Sequence, residues 1–193
     1  MPTDAEHVEL AALAKAGVHT SGPYPFLQDW ALLESPAFER GYYRFHHSTI
    51  ANWSPTAWNL ELGVFVDDEP VGFQGAFARD FPTRRVVDTG SWLGAAHQRR
   101  GLGVEMREAI LHLGFVGLGA EVAASSARVG NKGSLGVSRK LGYRENGRDL
   151  ITFGDGPATE IRLRLDREDW EPRRRADIEL VGLEACLADF GLA

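Results

Sequence analysis

The densest chemistry in this chain lies in six consecutive residues, Gln98-Arg99-Arg100-Gly101-Leu102-Gly103. They stand where an extended segment, Arg84 to Leu93, gives way to a run of helical period from Val104. In that run Leu102, Met106, Ala109/Ile110, Leu113 and Val116 share one face, opposite Glu105, Glu108 and His112. The first turn of a helix leaves backbone N–H groups unpaired and carries partial positive charge, which suits an anion. Gly101 and Gly103 have no Cβ, so a phosphate can approach the main chain closely. Arg99 and Arg100 add two cations to a chain whose formal net charge is −6. The spacing describes a phosphate cradle, although two glycines alone are equally a flexible turn before an amphipathic helix. No third glycine completes the dinucleotide fingerprint, and there is no Gly-Lys-Ser/Thr of a P-loop.

The elements around the cradle follow from the periodicity. Thr3 or Asp4 caps a first helix that stops at Gly17, and Gly22-Pro23-Tyr24-Pro25 makes a loop. A second helix runs from about Pro36 to Ile50. Asn59 to Val66 alternates as a strand, Asp67-Asp68-Glu69-Pro70 turns, and Val71 to Ala78 returns. The organising strand places Val87, Thr89, Ser91 and Leu93 on one face and Val86, Asp88, Gly90 and Trp92 on the other. Gly117 and Gly119 end the cradle helix, and Ala120 to Ala127 is a short strand. Asn131 caps a helix, Lys132 to Leu141, closed by Gly142. Tyr143 to Phe153 and Ala158 to Asp166 form a hairpin. Asp166 to Ala176 is a charge-rich, solvated linker, and Ile178 to Phe190 is an apolar segment that packs back. Helices and strands alternate only in the middle, so the fold class is α+β with a mixed sheet.

Composition narrows the function. At 193 residues, 44% hydrophobic and 25% charged, the chain fits one globular domain with a real core. Its acidic balance argues against generic nucleic-acid binding. Cys186 is the single cysteine, so neither a disulfide framework nor a cysteine metal cluster is expected, and no metal site is assigned. No apolar run reaches the roughly 18 residues of a membrane span, and no secretory leader is legible. A cytoplasmic protein with no membrane partner is the expectation. Phe26, Trp30, Trp53 and Trp58 stand in two polar, proline-broken loops, a composition that suits the edge of a binding cleft as well as a core.

The cradle resembles the Gln/Arg-x-x-Gly-x-Gly/Ala signature of the GNAT acetyltransferase superfamily, which Gln98, Gly101 and Gly103 match in full. A second superfamily word, Asn-x-x-Ser followed by Leu-Gly-Tyr/Phe, is met by Asn131, Ser134 and Leu141-Gly142-Tyr143 at the usual distance. The resemblance covers about Leu60 to Leu165 and is nearest the Rim-type branch, the ribosomal-protein N-terminal acetyltransferases and their small-amine relatives. It implies a mostly antiparallel sheet flanked by helices, in residues 1–166, with residues 167–193 as linker and packed tail. Relatives begin with a strand ahead of the first helix, which this chain lacks. Either Ile178 to Val181 fills that edge or a second copy of the chain covers it.

The resemblance also implies a chemistry, transfer of an acetyl or larger acyl group from acyl-CoA to an amine by direct attack on the thioester. Gln98, Arg99, Arg100, Gly101, Leu102 and Gly103 would hold the pyrophosphate of coenzyme A, and Asn131 and Ser134 would steady the coenzyme. Main-chain N–H groups at Trp92 and Leu93 would face the thioester oxygen. Ser134 sits where relatives place a hydroxyl near the sulfur, with helix capping as its alternative role, and Tyr143 is the rival acid. Asp88 is the carboxylate best placed as base, unless it pairs with Arg84 or Arg85. His46 and His47 lie on the helix that walls the acceptor pocket in relatives, and Phe26, Trp30, Trp53 and Trp58 would line that pocket. The acceptor is a small amine or a protein N-terminus, and an acyl carrier protein is the alternative donor.

Overall fold

Thr3 opens the first helix with a reciprocal cap: its hydroxyl accepts from the Glu6 N–H, and the Glu6 carboxylate accepts from the Thr3 N–H at 2.6 Å. The computed structural model describes residues 1–19 and 24–192; Gly22 and Pro23 of the expected loop lie outside the described residues. Helix α1 (Asp4–Ala16) buries His7, Leu10, Ala11 and Ala14, and α2 (Ala37–Ala51) buries Phe38, Tyr42, His46 and Thr49. Both sets recur at helical spacing, so each helix turns one stripe to the sheet.

Strands β1 (Ala57–Val66) and β2 (Glu69–Arg79) form a hairpin closed by Asp67 and Asp68, both at positive φ, as a tight primed turn demands. A helical turn, α3 (Phe81–Arg84), leads into β3 (Val86–Leu93), so the organising strand begins two residues later than its alternation suggested. The cradle helix is α4 (Leu102–His112), continued by a wider turn over Leu113–Gly117. Then come β4 (Val122–Arg128), α5 (Lys132–Lys140), β5 (Arg144–Phe153), β6 (Gly156–Asp166) and α6 (Arg167–Trp170). The six strands lie in the order β1-β2-β3-β4-β6-β5, antiparallel except between β3 and β4. Helices α1 and α2 pack on one face around Phe73 and Trp92. Helices α4 and α5 pack on the other around Leu111, Phe115 and Leu165.

Three expectations change. Among the described residues no strand precedes α1, yet Ile178 to Val181 does not replace it: that segment makes no strand, and β1 is the sheet edge. The charged linker is not simply solvated, because Trp170 is buried against Phe115, ring centroids 4.8 Å apart. His112 is not on a solvent face either, since the Trp170 ring covers it. The tail straps α4. Arg175 pairs with Glu108 at 3.1 Å, Leu180 and Leu183 press on Gly117, and Phe190 enters the core beside Trp58.

Candidate active site

The parallel ladder between β3 and β4 ends at Thr89 opposite Ser125, although β3 runs on to Leu93 and β4 to Arg128. Beyond that pair the strands part, and the backbone of Gly90 to Leu93 loses its partner on the β4 side. The fork opens toward the start of α4. There Gly101 takes φ +89°, with nothing within 4 Å of the place a Cβ would occupy, and Arg99 takes φ +62°. Arg99 and Arg100 are exposed, and none of the ion pairs among the described residues uses them. Gly103 lies in the first turn, packed toward Leu93 and Val137. Positive φ, a bare surface and unpaired N–H groups at a helix start fit a pyrophosphate.

Gln98 and Asn131, one from each of the two sequence words, also tie the fold together. The Gln98 amide donates to the carbonyl oxygens of Val18 and Leu93, both at 2.9 Å, and so pins the cradle to the end of β3. The Asn131 carbonyl caps α5 by accepting from the Ser134 N–H at 3.0 Å, and its amide donates to the Pro25 carbonyl at 3.0 Å. Ser134 is therefore not the cap. Its hydroxyl makes no hydrogen bond among the described residues, half-buried on the first turn of α5. Tyr143 belongs to the core at 7% exposed, its phenol oxygen buried without a partner among the described residues.

On the opposite sheet face, the loop from Tyr24 is roped to the fork. Arg128, at the end of β4, donates to the Tyr24 carbonyl at 2.8 Å and lies over the Phe153 ring at 3.8 Å. Phe26 packs on Trp30 at 5.4 Å and Trp30 on Trp92 at 5.9 Å, so these two loop aromatics stand beside the fork. Trp53 and Trp58 do not join them. Trp58 is 3% exposed against Phe81 and Phe190, and the Trp53 ring nitrogen donates to the Asp189 carbonyl. Those two rings anchor the tail, where packing on Phe190 has claimed them.

A further carboxylate, Glu61, shares this sheet face. Glu61 on β1 lies opposite Gly75 on β2, which lies opposite Gly90 on β3. Its carboxylate fills the space above Gly75, with Oε1 3.1 Å from where a Cβ would be, while the space above Gly90 is empty. Strands about 4.8 Å apart put Glu61 and Gly90 roughly 10 Å apart, with two glycines as the floor. Gly90 is the first residue past the last β3–β4 pair. Burial pushes the Glu61 carboxyl up to about 7, against the opposing effect of Asn59. Asp88 shares this face, and burial raises it too, with Arg84 opposing; among the described residues no ion pair joins it to Arg84 or Arg85. His46 is packed against Phe73 and His7, and burial holds it down at about 3, so it is a weak base. What marks Glu61 is hairpin register, a carboxylate facing a glycine, which the strand's apolar alternation does not display.

Among the described residues, no group of three or more His, Cys, Asp or Glu side chains that could hold a metal ion occurs, and no helix is long and apolar enough to cross a membrane. A family-wide sequence profile described as "Acetyltransferase (GNAT) domain" matches residues 2–144. Among solved structures, the chain is similar to a "putative acetyltransferase" from T. thermophilus, with TM-score 0.67, 14% identity, and 96% of this chain and 90% of that one covered. It is also similar to the ribosomal-protein-alanine N-acetyltransferase from Brucella melitensis, at 0.61 and 14%, covering 86% and 96%. A third is the spermidine N-acetyltransferase from Vibrio cholerae in complex with CoA and spermine, at 0.63 and 12%, covering 88% and 95%. At such identities these three likenesses speak for the fold.

Proposed function

The chain belongs to the GNAT acetyltransferase family, and on that premise we propose that it moves an acetyl or larger acyl group from acyl-CoA to a cationic amine. The observation that carries this reading is the fork beyond Thr89 and Ser125, aimed at the bare first turn of α4. The pyrophosphate rests on that turn, and the pantetheine arm enters between β3 and β4, where the Leu93 N–H, turned away from β2, meets the carbonyl oxygen, whereas the register points the Trp92 N–H at Phe73. The amine arrives over Gly75 and Gly90 from the side of Phe26 and Trp30.

An amine must lose a proton to become a nucleophile. Glu61, with its carboxyl near 7, is matched to that task, whereas an ordinary carboxylate would be a poor base at neutral pH. Its charge, with that of Asp88, also favours a cation in an aromatic cleft. The nitrogen attacks, the carbon–sulfur bond breaks, and the Ser134 hydroxyl stands by as the donor to sulfur. Free thiols titrate near about 8.5, so only modest help is needed.

The test is an assay of thiol release from acetyl-CoA against a panel of primary amines, polyamines and N-terminal peptides, with products identified by mass. Acetylation of a cationic amine that Glu61→Gln slows by on the order of 100-fold or more supports the reading. Turnover with neutral acceptors only, or full activity in Glu61→Gln, would refute it.

A further inference from the structure

Arg107 is a charged residue on the wrong side of its helix. It lies on α4 four residues after Gly103, and Gly103 and Gly114 both face β3, through Leu93 and Val87. That stripe turns toward the sheet, and Arg107 goes with it, 3% exposed. One guanidinium nitrogen donates to the Ser125 hydroxyl and the other to the Ser91 hydroxyl, each at 3.2 Å. Its Nε is buried with no partner among the described residues. None of the ion pairs among the described residues includes it. A guanidinium cannot shed its charge, and a buried cation with no counter-ion is expensive to keep.

Its place explains the expense. Ser125 is the last β4 residue of the ladder and Ser91 lies two past the last on β3, so the guanidinium spans the base of the fork. Ser125 donates its own proton to the Thr89 carbonyl at 3.1 Å. Ser91 is exposed, and its own proton has no acceptor among the described residues. A structural clamp between two hydroxyls could be neutral; this one is a cation at the floor of an open slot. Of the five N–H hydrogens an arginine carries, only two are engaged among the described residues.

We propose that Arg107 is the electrostatic anchor of the thioester site, stabilising, directly and through the Ser91 hydroxyl, the negative charge that passes from carbonyl oxygen to sulfur. This rests on the acyl-CoA reading above. In the step, the amine lone pair forms the nitrogen–carbon bond and the carbon–sulfur pair leaves on sulfur. The ammonium's first proton leaves before attack through Glu61 to solvent, the second goes to Glu61 once the new bond forms, and sulfur takes one from solvent, directly or through the Ser134 hydroxyl, which solvent refills. Arg107 keeps all its protons throughout. It acts by position and charge, in a slot that bound acyl-CoA closes to water, where the lower dielectric enlarges both.

The anchor has a consequence that needs no turnover. A cation within about 4–6 Å lowers the pKa of an acid by roughly 1–3 units. The thiol of bound coenzyme A is therefore more acidic in the native protein than in Arg107→Met. Thiolate absorbance across pH, with desulfo-coenzyme A as the blank, reads this directly, and calorimetry gives the affinity for coenzyme A of each variant. Arg107→Met is expected to raise the bound thiol by at least about one unit, while the melting temperature holds or rises because a lone buried charge is gone. The kcat with acetyl-CoA falls on the order of 100-fold, the scale of losing one preorganised donor. The KM for acetyl-CoA stays within about threefold, since ground-state binding is elsewhere. Arg107→Lys keeps most of the thiol shift, and Arg107→Gln, should the methionine variant not fold, behaves as the methionine one. Equal thiol acidity and equal kcat in a folded, coenzyme-binding neutral variant would overturn the anchor alone. Absence of coenzyme A binding by the native protein would overturn the acyl-CoA reading as well.

Discussion

The two halves of the proposed active site are built from different materials. The donor half is main chain: a helix start, two glycines and the parted edge of a parallel ladder, contributed largely by Gly90 to Gly103 and the facing strand. The proposed acceptor half is side chains brought from far apart, Phe26 and Trp30 from a loop, Glu61 from β1, Asp88 and Trp92 from β3. A backbone site needs particular dihedrals, and those are written in short words. A side-chain site needs only that certain groups meet, and many sequences can arrange that. The difference predicts that donor-half changes act on binding and acceptor-half changes act on rate and pH.

The largest effect is expected from Gly103→Asp. Its Cβ would meet Val137 at 3.4 Å and Leu93 at 3.7 Å, ordinary contact for the latter and slightly tight for the former. A carboxylate in the first turn of a helix does not harm the helix. The variant should fold, yet lose affinity for coenzyme A by on the order of 1000-fold, since opposed like charges cost several kcal/mol. Titration calorimetry beside a melting curve checks both halves of that statement; a folded variant with native affinity would put the pyrophosphate elsewhere.

Glu61→Gln should come next, with kcat/KM for the amine down about 100-fold or more and affinity for coenzyme A unchanged. In the native protein kcat/KM should climb as pH rises through about 7 and the carboxyl ionises. The glutamine variant should lack that limb. Stability gives an independent reading. The carboxyl is raised above its unfolded value by burial, so the native state holds the extra proton between roughly 4.5 and 7. Relative stability is full below that window and is lost as pH climbs through it. Melting curves at several pH values should show this decline in the native protein and a flatter profile in Glu61→Gln; parallel profiles would remove Glu61 from the buried site.

Ser134→Ala should lower kcat about 10- to 100-fold. The helix cap belongs to Asn131, whose side chain accepts from the Ser134 main chain, so the melting temperature should stay put. Asn131→Ala should instead cost about 1 kcal/mol as a lost cap and loosen the loop at Pro25. If Ser134→Ala loses stability and keeps its kcat, the hydroxyl has no part in the chemistry. The smallest catalytic effect is expected from Trp53→Ala, which should cost several kcal/mol of stability as a large aromatic leaves the tail's anchor. The KM for the amine should not move; a KM rise at unchanged stability would return this ring to the acceptor cleft.

The order of elements, the hairpin turn at Asp67 and Asp68, both superfamily words and the α+β class were legible in the sequence, because each depends on local periodicity or on a glycine at a fixed offset. The aromatic loops show where that reading stops. Phe26-x-x-x-Trp30 and Trp53 with Trp58 have similar surroundings in the sequence, yet one pair stands beside the fork and the other holds Phe190. Apolar rings are bound by any apolar surface, so only the path of the tail decided between them. Glu61 and Arg107 were likewise hidden. Each is an ordinary charged residue in its own element, and its role arises from register: a glycine opposite in the hairpin for one, two serines on separate strands for the other. Sequence determined the glycine-punctuated backbone proposed to hold an anion, since dihedral preferences are local; the tertiary structure decided which charges were buried beside it, since burial belongs to no single segment.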